Sequence, residues 1–147
     1  MTEILVLQQT VQNLRGTAEF AKNAVKHFAA GETILLYGDL GSGKTHLVRE
    51  FVRLLGLKAE VSSPSFSLIN RYEGVVCVNH IDLYRISDEY ELRNLGLDDL
   101  WGNPDISFIE WPQLIEKMIR WPHFKLSIKI LAKNLKWREF SLFKIYG

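Results

Sequence analysis

Thr33-Ile34-Leu35-Leu36-Tyr37-Gly38-Asp39-Leu40-Gly41-Ser42-Gly43-Lys44-Thr45 decides the fold of this chain. Its first five residues are a short, β-rich apolar run and read as a buried strand. The octet from Gly38 to Thr45 has the Gly-x-x-x-x-Gly-Lys-Thr pattern of a phosphate-binding loop, or P-loop. Behind it Leu47, Val48, Phe51, Leu54 and Leu55 recur at helical spacing, and Gly56 follows as a C-cap. Strand, glycine loop and helix in this order aim a helix N-terminus at bound phosphate. Gly38, Gly41 and Gly43 put no Cβ between the backbone N–H groups and a polyanion. Lys44 supplies a point charge for β- and γ-phosphates, and Thr45 a hydroxyl for magnesium. Asp39, Leu40, Ser42 and His46 complete the stretch expected against the nucleotide; His46 is read as a helix-surface residue near the phosphates.

Outward from the loop, residues 3 to 8 look like a strand, and Thr10 is a plausible N-cap. Val11, Leu14, Ala18, Ala21, Val25 and Phe28 then form one apolar helical stripe that Gly31 closes. Ser62-Ser63-Pro64-Ser65-Phe66-Ser67 reads as a loop. Residues 66 to 73 and 75 to 82 read as a hairpin about Glu73-Gly74. Ser87 to Leu95 reads as a short helix, and Ile106-Ser107-Phe108-Ile109 as a strand running into Glu110. Pro112 is placed to open a helix through Arg120. Residues 125 to 131 and 137 to 146 read as a closing antiparallel pair around Lys133-Asn134. The expected fold is α/β: a P-loop NTPase-like three-layer sandwich. Its sheet is mixed and mostly parallel, with an antiparallel C-terminal hairpin. No linker or repeat divides residues 1 to 147, so one domain is expected.

Bulk properties narrow the partners. The 47% hydrophobic and 24% charged content is that of an ordinary globular domain. A net charge of +1 exerts no global pull toward nucleic acid or membrane. No apolar stretch approaches a membrane span, and no signal peptide is apparent at the N-terminus. The single cysteine, Cys77, lies in an apolar run and suits a reducing cytoplasm.

A P-loop binds nucleotide; hydrolysis or transfer also needs acids opposite it, to hold magnesium and orient the attacking oxygen. Asp82 and Glu110 each end an apolar run at a strand C-terminus, where ligands of open α/β sheets gather. With Lys44 they are the candidate catalytic residues, and Thr45 with Glu110 the candidate magnesium ligands. His80 lies two residues before Asp82, on the same strand face, and reads first as a buried, hydrogen-bonded histidine. Arg85 is placed to meet phosphate or Asp82, and Trp111 to pack. The guanine-reading string Asn-Lys-x-Asp is absent, so ATP is the expected nucleotide. The dinucleotide spacing Gly-x-Gly-x-x-Gly does not occur in the loop, no His/Cys cluster has zinc spacing, and no Gly-x-Ser-x-Gly elbow is present.

Four strings together carry a resemblance: Tyr37 to Thr45, Ser63-Pro64-Ser65-Phe66, His80-Ile81-Asp82-Leu83-Tyr84-Arg85 and Glu110-Trp111-Pro112-Gln113. In order and spacing the chain resembles the TsaE (YjeE) family, small P-loop ATPases of tRNA threonylcarbamoyladenosine synthesis. The resemblance implies that Thr45 and Glu110 hold Mg2+ and that Lys44 binds the phosphates. It also implies that Ser63 to Phe66 form a switch-like loop at the γ-phosphate, and that Asp82 supports the metal or the attacking water. It implies partners similar to TsaD, which transfers the threonylcarbamoyl group to tRNA adenosine, and to TsaB, its scaffold, so that tRNA is met through the complex. ATP hydrolysis then resets the complex between cycles, in the cytoplasm. The family's threonine is replaced here by Ser65, which keeps the hydroxyl. Its Gly-x-Arg-like turn is replaced by Asn134-Leu135-Lys136-Trp137-Arg138, where Lys136 and Arg138 are read as solvated hairpin charges.

Two other functions share the P-loop. A small-molecule kinase needs an acceptor pocket and a lid; the longest stretch without an assigned element, Gly96 to Asp105, is short for a lid. A nucleotide-binding switch without turnover does not need both Asp82 and Glu110.

Overall fold

The computed structural model describes residues 2–58 and 68–147. Its elements are β1 (Thr2–Val11), α1 (Leu14–Val25), β2 (Thr33–Tyr37), α2 (Lys44–Leu54), β3 (Ile69–Tyr72) and β4 (Val78–Asp82). They continue with α3 (Glu89–Arg93), β5 (Ile106–Glu110), β6 (His123–Leu131) and β7 (Asn134–Tyr146). Among the described residues these strands make one sheet in the order β1-β7-β6-β2-β5-β4-β3. The centre, β6-β2-β5-β4, is parallel, and the C-terminal β6–β7 hairpin is antiparallel, as expected. Antiparallel pairing extends further than that hairpin, because β1 pairs with β7 and β3 with β4.

Alternation along β2 sorts the core into two layers. Ile34 and Leu36 face α1 and α2, where Phe20, Ala24, Leu47, Val48, Phe51 and Phe108 join them. Phe51 of α2 stacks on Phe108 of β5, with centroids 5.2 Å apart and planes at 8°. Full burial of a side chain of this size stabilises by roughly 1.5–3 kcal/mol. Leu35 faces the other way and packs with Ile81 and Ile109 under Leu83, Leu92, Leu97, Ile115 and Ile119. This second covering layer is thin, because α3 has only five residues. No helix among the described residues is long and apolar enough to cross a membrane.

Several local readings shift. The segment before the first helix stays extended to Val11, because its ladder with β7 runs on to Val11 opposite Arg138. The cap is therefore Asn13 rather than Thr10, with its side chain accepting from the Gly16 amide at 2.9 Å. Pro112 opens no α-helix. The segment turns and holds one 3-10 turn, Glu116–Met118, while Ile115 and Ile119 are buried beneath β2 and β5. Trp121 precedes Pro122 and β6 begins at His123, so the chain must already be extended there. The closing turn is Ala132-Lys133, one residue earlier than expected. The second expected hairpin is shorter on both strands, Ile69–Tyr72 and Val78–Asp82, and residues 66 and 67 lie outside the described residues.

The register sets up the site. Leu36 stands opposite Glu110, and Asp82 opposite Glu110 on the other side. Three adjacent parallel strands therefore end at one level, where the P-loop leaves β2 and open α/β sheets bind ligands.

Candidate functional site

The P-loop connects β2 to α2 with its backbone closely packed. A Cβ on Gly38 would meet the Ser42 hydroxyl at 2.6 Å and the Ile128 carbonyl at 3.1 Å. Gly43 caps α2 at φ 105°, a left-handed conformation that suits glycine, and no side chain caps the helix. The first free amide groups of α2 are thus left for an anion. Asp39, Leu40, Gly41, Ser42, Gly43, Lys44, Thr45 and His46 all line one cleft of about 270 Å3, with Asp82, Glu110 and Trp111 on its other wall. Asp39 to His46, Asp82 and Glu110 of the residues expected from the sequence thus meet at one cleft, whereas Arg85 does not line it. The expected loop Ser63 to Phe66 lies outside the described residues.

The opposite wall comes from the ends of β4 and β5. Glu110 is buried, and its Oε2 accepts from the Thr45 hydroxyl at 3.1 Å. The same oxygen lies 2.5 Å from Nε2 of His80, which is fully buried. Asp82 accepts from the Tyr84 amide at 2.9 Å. Burial raises the Asp82 carboxyl above its ordinary range; the Tyr84 bond opposes this, and the nearby Glu110 charge adds to it. Lys44 is buried too. Its ammonium donates to the Gly38 carbonyl and lies 3.7 Å from the centroid of the Trp111 ring. Burial lowers its pKa, against the pull of Glu110, Asp82 and Asp39. Thr45 and Glu110 present hard oxygen atoms within hydrogen-bond reach beside the uncapped amides of α2, a donor set that fits magnesium.

Three side chains differ from their sequence reading. Arg138 is not a solvated hairpin charge: it donates from Nε to the Ser42 carbonyl at 3.1 Å and from Nη2 to the Gly41 carbonyl at 3.4 Å. The β6–β7 hairpin places it there because β6 runs parallel to β2 and so ends on the P-loop side. His46 is half-buried rather than on an open surface, and its Nε2 is a buried atom without a partner among the described residues. Trp111 does more than pack. It has a positive φ of 56°, unusual for a bulky residue, which lays its ring over Lys44 and against Tyr84. Arg85 is exposed and not ion-paired with Asp82.

A second cleft of about 470 Å3 adjoins the loop on the α1 side. Val11, Asn13, Leu14, Thr17, His46, Lys136 and Arg138 line it with Gly41 to Gly43. Sequence reasoning missed Val11, Asn13, Leu14 and Thr17 as residues lining a cleft beside the loop. No local signal marks them, since only the long-range pairing of β1 with β7 brings them to the loop.

Comparison with known proteins agrees with this geometry. The family model "Threonylcarbamoyl adenosine biosynthesis protein TsaE" matches residues 11–140. The TsaE protein of Bacillus subtilis is 38% identical over 126 residues, which cover 85% of this chain and 73% of that protein. The TsaE protein of Rickettsia typhi is 32% identical over 127 residues, covering 85% and 88%. A crystal structure of Bacillus subtilis YdiB superposes with a TM-score of 0.78 at 28% identity, covering 98% of this chain and 88% of that one. A match over most of the chain to the model, to curated sequences and to a solved fold leaves one assignment: the chain belongs to the TsaE family of tRNA threonylcarbamoyladenosine biosynthesis.

Proposed function

We propose that this chain binds ATP with Mg2+ and hydrolyses it slowly, as the subunit that resets a tRNA-threonylcarbamoylating complex. The observation that carries the reading is the bond from the Thr45 hydroxyl to Glu110 across a complete P-loop. The amides at the start of α2 bind phosphate oxygens, and the buried Lys44 neutralises them. Thr45 and Glu110 are the residues that would hold Mg2+; when bound, the ion offsets charge on the β- and γ-phosphates. Asp82, whose carboxyl burial has raised, stands beside Glu110 and orients the attacking water. The second cleft accepts the nucleoside, with Arg138 tying the loop to the hairpin between the two clefts. The partners are a TsaD-like transferase and a TsaB-like scaffold, in the cytoplasm, with tRNA engaged through them.

The test combines binding and reconstitution. Calorimetry with ATP, ADP and GTP, each with and without Mg2+, should give Mg2+-dependent binding that favours the adenine nucleotides. Phosphate release by the pure chain should be slow and should rise when TsaD-like and TsaB-like proteins are added. Threonylcarbamoyl incorporation into tRNA should then need this chain beyond one turnover. Phosphorylation of a small molecule faster than hydrolysis would overturn the reading in favour of a kinase.

A further inference from the structure

The buried pair His80 and Glu110 is held in a way that a core histidine does not require. His80 sits on β4 and Glu110 on β5, with His80 opposite Phe108 and Asp82 opposite Glu110. Period-two alternation puts all four side chains on the face that α2 covers, so His80 lies diagonally beneath Glu110 at the floor of the cleft. The imidazole is 0% exposed and, among the described residues, has one polar contact, Nε2 to Glu110 Oε2 at 2.5 Å. Its Nδ1 is buried and has no partner among the described residues.

Burying a polar ring is costly unless it is bonded, and an apolar side chain of similar size would fill the same space without that cost. The ring is therefore not explained by packing, and its bond to Glu110 is what accounts for it. A carboxylate only accepts, so Nε2 carries the hydrogen. Both described bonds of Glu110, from His80 and from Thr45, converge on Oε2. The carboxylate is thus fixed in rotation, with Oε1 left for the cleft that Glu110 lines. Outer-sphere donors of this kind set the orientation of a metal-binding carboxylate.

We propose that His80 is a positioning residue: its Nε2–H locks the Glu110 carboxylate from beneath, so that Glu110 meets the Mg2+–nucleotide already oriented. This rests on the nucleotide reading above and adds a residue and a role to it.

The test uses two variants of similar polarity. His80→Gln can place an amide N–H near the position of Nε2; His80→Asn is too short and reaches only the Nδ1 position. ADP affinity is measured by calorimetry in EDTA and across a Mg2+ series, with the wild type alongside. For His80→Asn, the Mg2+ concentration giving half of the gain in ADP affinity should rise by about 10-fold or more. Its affinity in EDTA should match wild type, and His80→Gln should recover most of the Mg2+ response. A wild-type Mg2+ response in His80→Asn, an equal loss in both variants, or a loss as large in EDTA would overturn the proposal. A wild-type measurement decides where His80→Asn does not fold. The His80 Nε2-bound proton, observed by NMR in 15N-histidine-labelled protein, should shift between ADP in EDTA and ADP with Mg2+, and an unmoved resonance overturns the proposal. If the wild type itself shows no Mg2+-dependent nucleotide binding, the nucleotide reading fails first; if it does and His80→Asn follows it, only the role of His80 fails.

Discussion

The Lys44 ammonium lies 3.7 Å from the centroid of the Trp111 ring while donating to the carbonyl of Gly38, its own loop. The charge to which the proposed function assigns phosphate binding is thus held by an aromatic face and by the backbone it would partly leave when phosphate arrives. Phosphate oxygens carry full charge and are the stronger partners. Nucleotide should therefore draw Lys44 off the indole and change its surroundings. In a chain whose only tryptophan is Trp111 (W101F, W121F, W137F), emission should change on adding MgADP. The change should be lost in the same chain with Lys44→Ala, and an invariant spectrum would show that Lys44 stays under the ring.

Lys44 and Glu110 should fail in different ways. A hydrogen bond to a charged group contributes about 1.5–3 kcal/mol, so Lys44→Ala should lose roughly 10- to 150-fold in nucleotide affinity even in EDTA. Glu110→Gln keeps the shape and an acceptor for Thr45 but removes the charge a cation needs. Its affinity in EDTA should stay near wild type, while the gain on adding Mg2+ and phosphate release both fall by at least about 10-fold. Calorimetry and a phosphate-release assay on the same preparations separate the two patterns. A matching loss in EDTA for both variants would remove Glu110 from the metal site.

Arg138 reaches the Ser42 and Gly41 carbonyls and also donates to the Leu135 carbonyl at 2.6 Å. One planar guanidinium therefore ties the P-loop to the hairpin end. Arg138→Ala should speed amide hydrogen exchange at Gly41 to Gly43 and weaken ADP binding. Arg138→Lys should recover little, because a single ammonium cannot span both segments. Unchanged exchange in Arg138→Ala would mean that the loop holds its shape unaided.

The strand–loop–helix unit was legible because it is local. The run Thr33–Tyr37, the glycines and the stripe from Leu47 to Leu55 lie within one stretch of chain, and each feature has its own periodicity or φ requirement. Asp82 and Glu110 were legible for the same reason, each following an apolar run. Residues whose place depends on distant pairing were not. Val11 and Arg138 stand opposite each other in the β1–β7 ladder, 127 positions apart, and together they border the second cleft. No window of sequence around either residue contains the other. What Trp111 packs against was illegible for a different reason: its positive φ is a backbone state set by the turn after β5, and residue type does not announce it.

Asp82 should show a trade between stability and activity. Burial first, and the Glu110 charge in addition, raise its carboxyl above the unfolded value, while the Tyr84 amide bond opposes them. A group whose folded pKa is raised stabilises the fold below its unfolded pKa, and that contribution is lost as pH rises through the folded pKa. Once ionised, the carboxylate is thus a burden on the nucleotide-free protein. Asp82→Asn removes the charge and keeps an oxygen to accept from the Tyr84 amide. The variant should melt at a higher temperature than wild type at pH 7. The advantage should shrink as pH falls through the carboxylate range, where wild-type Asp82 becomes neutral as well. Phosphate release should fall in the same variant, since the water loses its orienting charge. Melting curves of both proteins between pH 4 and pH 8 decide it. A variant that is less stable at pH 7, or whose advantage grows toward acid, would mean that the charge of Asp82 is stabilised in the fold rather than held at a cost for catalysis.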